Sequence, residues 1–351
     1  MPDPASEAKP ASSGVTRRLL AGILFGILVM LVVALAGDLR QVSRQVLDFR
    51  WSLFPLVLVL TLFNYALRFI KWHYYLRLVG VHGLPVKESG RMFVGGFPLA
   101  VTPGKLGEAL KGVWLKDASG IAIAIGVSVV VAERISDGLA VMALSSLGVV
   151  AYPQYWPAFA IILAVLLGVV IVSQIRPLAY WLLDIGERIP VVQRFAHSLR
   201  LFYEGSFTLF RPKALLIAVG LGTISWLGEG LGFYVILLGL GVPPSLETAA
   251  IAVFVLSFSI VIGAASTLPA GLGASEASIA AMLALLLGLE ADSSAAATLL
   301  IRFATLWFGV ALGLGVWAIS RQMLGLASTS KSATEGPPQK EEERGTQHAP
   351  R

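Results

Sequence analysis

TPGKLGEALKG, residues 102–112, sets a proline–glycine turn, a lysine and a glutamate inside a chain that is otherwise overwhelmingly apolar. Charges cost free energy in membrane-like surroundings, so the stretch calls for partners or a purpose. A second stretch, STLPAGLGASEASIAAML at residues 266–283, carries the same pattern. Pro103, Gly104, Gly107 and Glu108 in the first are matched by Pro269, Gly271, Gly273 and Glu276 in the second. Each glutamate opens an apolar helical run, and an arginine follows 26 residues later, at Arg134 and at Arg302. Upstream, Arg68 precedes Gly80 by 12 residues, and Glu229 precedes Gly241 by 12. Three spacings recurring in one order point to an internal repeat.

Composition fixes the surroundings. Of 351 residues, 56% are hydrophobic and only 14% charged, against about 25% charged in soluble domains. Several apolar runs of about 18 residues or more indicate an integral membrane protein built from helices. The formal charge of +6 lies mostly in loops, which suits a bilayer surface and argues against nucleic acid as a partner. With no cysteine, disulfides, thiolate metal sites and cysteine nucleophiles are excluded. His73, His82, His197 and His348 share no metal-binding spacing, so no metal and no cofactor is expected.

Spanning segments are expected near 18–36, 52–71, 119–150, 156–175, 213–240, 246–265, 275–289 and 293–320. Residues 86–116 are too short and too broken to cross twice, and read as a hairpin that dips in and returns. Residues 177–210 mix arginines with apolar residues, and read as one or two amphipathic helices at the surface. Residues 1–16 and 327–351 are polar tails that read as disordered, flanking a membrane domain at 17–326. Arg17 and Arg18 ahead of Leu19–Ala36 make a signal peptide conceivable; the apolar run exceeds the usual h-region, which favours an uncleaved first helix.

Lysine and arginine set the orientation. The 176–213 connection holds Arg176, Arg188, Arg194, Arg200, Arg211 and Lys213, and the 71–116 region holds Lys71, Arg77, Lys87, Arg91, Lys105, Lys111 and Lys116. The links at 151–156, 241–247 and 289–293 hold none. Both termini and both basic regions therefore belong in the cytoplasm, with eight crossings. Arg40, Arg44 and Arg50 in the first outer loop are the weak point of this assignment. In this topology the halves at about 52–150 and 213–320 run in opposite directions. The expected fold is thus all-α and integral to the membrane, with about eight transmembrane helices. It contains two inverted repeats, each with a Pro/Gly-broken re-entrant or discontinuous hairpin, the arrangement that places a transport site at the repeat interface.

Glu133, Arg134, Asp137, Glu229 and Arg302 fall inside the expected helices, and would together cost on the order of 12–17 kcal/mol if each faced lipid unpaired. They must face protein or water. Glu133, Arg134 and Asp137 share a face, which suits either a self-satisfied salt bridge or a cation lining a path for an anionic headgroup. Ser128, Ala132, Ser136 and Ala140 form a small-residue stripe on the same helix that lets another helix approach. Asn64, Arg68 and Trp72 lie on one face, and Arg68, near the expected inner end of its helix, is placed for snorkelling. Arg302 has no sequence neighbour to pair with, which leaves Glu229 and Glu276 as candidates. A helix opening after Pro103, with Thr102 as its N-cap, would aim free N–H groups at the turn, and Lys105 would add charge for a phosphate. Glu108 and Glu276 also suit their own helix dipoles.

No Walker A loop and no G-x-S-x-G elbow is present, so an enzyme is not expected. The sequence resembles the flippase-like membrane family typified by the transmembrane region of lysylphosphatidylglycerol synthases. The resemblance rests on N-x-x-x-R-x-x-x-W at 64–72, TPGKLGE at 102–108, ERISDG at 133–138 and LPAGLGASE at 268–276, and covers roughly residues 20–320. It implies a polytopic bacterial inner-membrane protein that handles lipids, in the best-known members by moving an aminoacylated phospholipid between leaflets. The chain ends about 30 residues after its last expected helix. The aminoacyltransferase domain of those members is not expected here, which puts aminoacyl-lipid synthesis in doubt.

The expectation is therefore a lipid translocase. A headgroup, in all expectation one bearing phosphate, would enter a polar cavity between the repeats, held by Arg134, Arg302, Arg68, Asp137 and the turn at 103–107. Glu108, Glu229 and Glu276 would counter the arginines and could carry a proton. A lipid-synthesising enzyme and further copies of the chain are conceivable partners. The alternative is a scaffold or accessory subunit of a lipid-modifying pathway, whose charges only pin helices together.

Overall fold

The computed structural model describes residues 11–102, 107–151 and 156–320. Among them the chain forms fifteen α-helices and no strand. The first three are α1 (Ala11–Ala36), the short α2 (Leu39–Asp48) and α3 (Phe54–Leu78). Then come α4 (Val86–Gly95), α5 (Leu110–Ser119), α6 (Ile123–Ala151) and α7 (Trp156–Gln174). A surface trio follows, α8 (Arg176–Glu187), α9 (Pro190–Gln193) and α10 (Ala196–Leu209). The chain closes with α11 (Pro212–Gly239), α12 (Leu246–Ala265), α13 (Ala274–Leu287), α14 (Ala291–Arg302) and α15 (Phe308–Ile319).

Six segments are long and apolar enough to cross a bilayer: 17–36, 51–78, 212–239, 246–265, 269–287 and 291–319. A seventh arises if the bent pair α7–α8 counts as one span. α6 falls outside that class although it is 29 residues long, about 43 Å at 1.5 Å per residue, because Glu133, Arg134 and Asp137 interrupt its apolar run. α4 and α5, ten residues each, reach only about 15 Å, half the hydrocarbon thickness. Between them lies a 3₁₀ segment, Phe97–Val101, which contacts a second 3₁₀ segment, Pro269–Gly271, ahead of α13. The segment that leads to the first turn is thus set against the second turn itself.

Local chemistry explains the breaks. Asp38 caps α2 by accepting from the Arg40 N–H at 2.9 Å, and Ser245 caps α12 by accepting from Thr248 N–H at 2.9 Å. α3 and α11 end in the same device. Gly80 (φ +91°) and Gly241 (φ +92°) take left-handed conformations that a Cβ would strain. The next residue folds back in both: Val81 N–H donates to Leu76 O at 2.9 Å, and Val242 N–H to Leu237 O at 3.0 Å.

α3 and α11 lie against each other in opposite directions. Asn64 Nδ2 donates to Ser225 O at 3.1 Å and Ser225 Oγ to Asn64 O at 3.3 Å. Gly228 meets Phe63, Gly232 meets Val57, and Gly239 O accepts from Arg50 N–H at 3.1 Å. Residue numbers fall on one helix as they rise on the other. The small stripe on α6 is used as expected: Ser128, Ala132, Ser136 and Ala140 are all buried, with Gly205 of α10 at one end and Gly222 of α11 at the other.

Two boundaries differ from the sequence reading. α1 opens at Ala11, ahead of residue 17. α3 runs seven residues past the expected end at 71, because nothing stops it before the Gly80 cap.

Candidate functional site

The longer α3 sets the site. Arg68 lies ten residues before the end of its helix, about 15 Å, too deep to snorkel. Its side chain turns inward instead: Nη2 lies 3.1 Å from Glu133 Oε1 and Nε 3.6 Å from Asp137 Oδ2. The snorkelling expectation is therefore corrected. One turn on, the fully buried ammonium of Lys71 hydrogen-bonds Asp137 Oδ1. By charge alone Lys71 and Lys111 read as loop cations. In the fold Lys111 is buried on α5, with Nζ 3.7 Å from Glu133 Oε2 and over the Trp72 and Phe93 rings at 5.0 and 5.4 Å.

Arg134 completes the cluster. Its Nη2 lies 2.7 Å from Glu133 Oε1 and 3.7 Å from Asp137 Oδ2, and its Nε lies 3.6 Å from Glu108 Oε2. Trp226 of α11 donates Nε1–H to Asp137 Oδ1 at 3.2 Å and offers its ring to Arg68 at 5.4 Å. Three segments of the first half thus assemble four cations (Arg68, Lys71, Lys111, Arg134) and three carboxylates (Glu108, Glu133, Asp137). The cluster carries one cation in excess. It is sealed except at Arg134, whose side chain is 38% exposed while the other six are 11% or less.

The second half makes the matching contact more simply. Arg302 Nε lies 2.6 Å from Glu276 Oε1. Glu276 also accepts from Gly273 N–H at 2.6 Å through its other oxygen, so it caps its own helix and pairs the arginine at once. Of the two candidate partners for Arg302, Glu276 is taken and Glu229 is not. Glu229 is buried on α11 between Gly228 and Gly230, and forms no ion pair among the described residues. Both glutamate–arginine pairs separated by 26 residues, Glu108–Arg134 and Glu276–Arg302, are made. After Arg302 the helix widens into a π-helical segment, Phe303–Trp307, and the Tyr65 hydroxyl donates to Thr305 O at 2.6 Å. π-helical turns occur often at functional sites.

Pro103, Gly104 and Lys105 lie outside the described residues. Thr102 Oγ1 accepts from Gly107 N–H at 3.1 Å, but α5 begins only at Leu110 with Ala109 at its N-cap, so Thr102 is not the helix cap that was expected. Glu108 thus precedes its helix, whereas Glu276 sits within the first turn of α13. In the second turn Pro269 and Gly271 form the 3₁₀ segment, with Ala270 at φ +50° and Thr267 at φ +58°. Left-handed conformations at non-glycine residues cost about 1 kcal/mol or more each, and such strain clusters at functional sites.

The residues the sequence reading missed are Lys71, Lys111 and Trp226. Lys71 was legible as the third member of the Asn64–Arg68 face, and Lys111 as the residue one turn after Glu108. Lys71 was hidden by a helix end drawn too early, and Lys111 by being counted with the loop cations of 71–116. Neutralising this many buried charges is not a route to stability, since well-packed apolar residues serve as well or better.

Fold and site together define a polytopic helical membrane protein with an ion cluster buried among its helices. The chain belongs to the family defined by the lysylphosphatidylglycerol synthase TM region, whose family model matches residues 19–313. No curated protein matches it.

Proposed function

We propose that the protein is a lipid translocase that moves a lipid with a phosphate-bearing headgroup between leaflets, without covalent chemistry of its own. The observation that carries this reading is the excess cation of the buried cluster, open to the outside only at Arg134. An anionic headgroup at Arg134 would neutralise the excess, and the adjoining Pro–Gly turns would receive it. Membership of a family defined on a lipid synthase's membrane region supports lipid as the cargo.

The reading includes two inverted repeats and eight crossings. Its support is the antiparallel contact of α3 with α11 about Asn64 and Ser225, residues 161 apart, the same separation as Gly80 and Gly241. The hairpin elements repeat at 168 residues: Glu108 and Glu276, Arg134 and Arg302, and the left-handed glycines Gly120 (φ +75°) and Gly288 (φ +63°) that end α5 and α13. A bacterial inner membrane with cytoplasmic termini completes the reading. Taking Lys71 and Lys111 out of the loop count leaves Arg77, Lys87, Arg91, Lys105 and Lys116 on the inner side. On the outer side Arg50 is occupied in closing the end of α11, with Nη2 2.5 Å from Leu238 O. A cysteine placed at Leu246 should react with an impermeant thiol reagent on intact cells, and one at Ser198 should not. The reverse pattern overturns the orientation.

Native mass spectrometry tests the function. Wild-type protein released gently from membranes should retain a phosphate-bearing lipid that the Arg134→Ala/Arg302→Ala protein loses. Identical lipids on both proteins would remove the proposed site. The scaffold reading draws on a real observation, that every carboxylate of the cluster is already paired; the behaviour of Arg134 alone separates the two.

A further inference from the structure

α7 and α8 meet at an angle of 93° across Ile175. Pro177, in the first turn of α8, lacks the N–H that a continuous helix would need. With α7 across the bilayer, α8 runs close to the membrane plane. Its polar side is tied to α10: Tyr180 OH donates to Glu204 Oε1 at 2.5 Å, and Arg200 Nε and Nη2 reach Glu187 Oε1 at 2.7 Å and Asp184 Oδ1 at 3.2 Å. α10 in turn buries Tyr203, Ser206 and Leu209 and sets Gly205 against Ser128 of α6, the helix that carries Glu133, Arg134 and Asp137.

Among the described residues nothing covers the remaining side of the elbow. Trp181, Leu182 and Ile185 of α8, then Val191 and Phe195, are all exposed. Arg188 and Arg194 stand among them and form no ion pair among the described residues, because the three acids of this connection are taken by Arg176 and Arg200. An exposed apolar strip in the membrane plane, edged by unpaired arginines, has the chemistry of an interfacial helix on an anionic lipid surface.

We propose that the α8–α9 elbow docks on an anionic leaflet, with Trp181, Leu182, Ile185, Val191 and Phe195 at the acyl boundary and Arg188 and Arg194 on lipid phosphates. Each arginine near such a surface favours the docked state by about fivefold. Because α10 joins the elbow to α6, the lipid composition of that leaflet bears directly on the helix of the ion cluster.

The native chain has no cysteine, so spin labels on Ile185→Cys and Val191→Cys report on this face alone. The full-length labelled protein is placed in vesicles of phosphatidylcholine, with or without phosphatidylglycerol. Collisions with oxygen should rise, and collisions with a water-soluble nickel chelate fall, when phosphatidylglycerol is present. Arg188→Gln/Arg194→Gln should abolish that difference while α10 stays on α6, read from an unchanged label on Ser206→Cys. Labels that stay in water in both lipids overturn the proposal and leave the strip for a protein partner. Labels equally immersed in both lipids overturn it too, since the arginines would then have no part.

Discussion

Asp137→Asn is expected to lower the thermal midpoint of the detergent-solubilised protein by about 10 °C, more than any other single neutralisation. Among the described residues Asp137 is the only carboxylate bonded to the buried ammonium of Lys71, and it also faces Arg68 and Arg134 and accepts from Trp226. Its loss leaves four cations against two carboxylates in a space closed to water. Breaking a buried pair from one side costs about 3–5 kcal/mol, chiefly for the charge left behind. Lys71→Met in the same background removes that stranded charge and should recover at least half of the loss. The double-mutant cycle then gives a coupling of about 1–3 kcal/mol. An Asp137→Asn protein that melts with the wild type would mean the cluster is hydrated, and the sealed site would have to be abandoned.

How much of this was legible in the sequence depended on where each helix was taken to stop. The Glu108–Arg134 and Glu276–Arg302 pairs were readable from spacing, because glutamate, left-handed glycine and arginine recur at one separation in the two halves. The small-residue stripe of α6 was readable from its period. Lys71 was not, although the stop signal was present: Gly80 is where α3 ends, and a helix read through to that cap carries Lys71 with Asn64 and Arg68. Charge drew the boundary too early, since a lysine was taken as the mark of a loop. Lys111 was misplaced because its charge counted toward the cytoplasmic side, although it lies on a hairpin helix. The choice of Glu276 over Glu229 by Arg302, and the contact between the two 3₁₀ segments, depend on tertiary packing that no local pattern encodes.

Arg134→Gln should leave the fold nearly as stable as the wild type yet reduce headgroup binding, and with it transport, by about 10- to 100-fold. Charge counting gives the first half of the result. Without Arg134 the cluster holds three cations and three carboxylates, so the change that removes a charge also balances the site. The glutamine amide can still donate to Glu133, and the side chain it replaces is the most exposed of the seven. The second half follows from that same exposure, since Arg134 is the one cation of the cluster a headgroup can reach. A charged hydrogen bond to phosphate contributes about 1.5–3 kcal/mol, which sets the fold-change. Melting in detergent and a leaflet-exchange assay in vesicles, run on the same preparation, read both halves. Loss of transport with an intact melt is the outcome of a substrate site. Loss of stability with intact transport is the outcome of a helix pin, and it would hand the cluster to the scaffold reading. Arg302→Ala is the internal contrast: each variant removes the only ion-pair partner a glutamate has among the described residues, but Glu276 is fully buried, whereas the Glu108 side chain is 10% exposed and keeps the glutamine amide in reach. The Arg302 variant should lose stability as well as transport, which is why Arg134 and not Arg302 decides between the two functions.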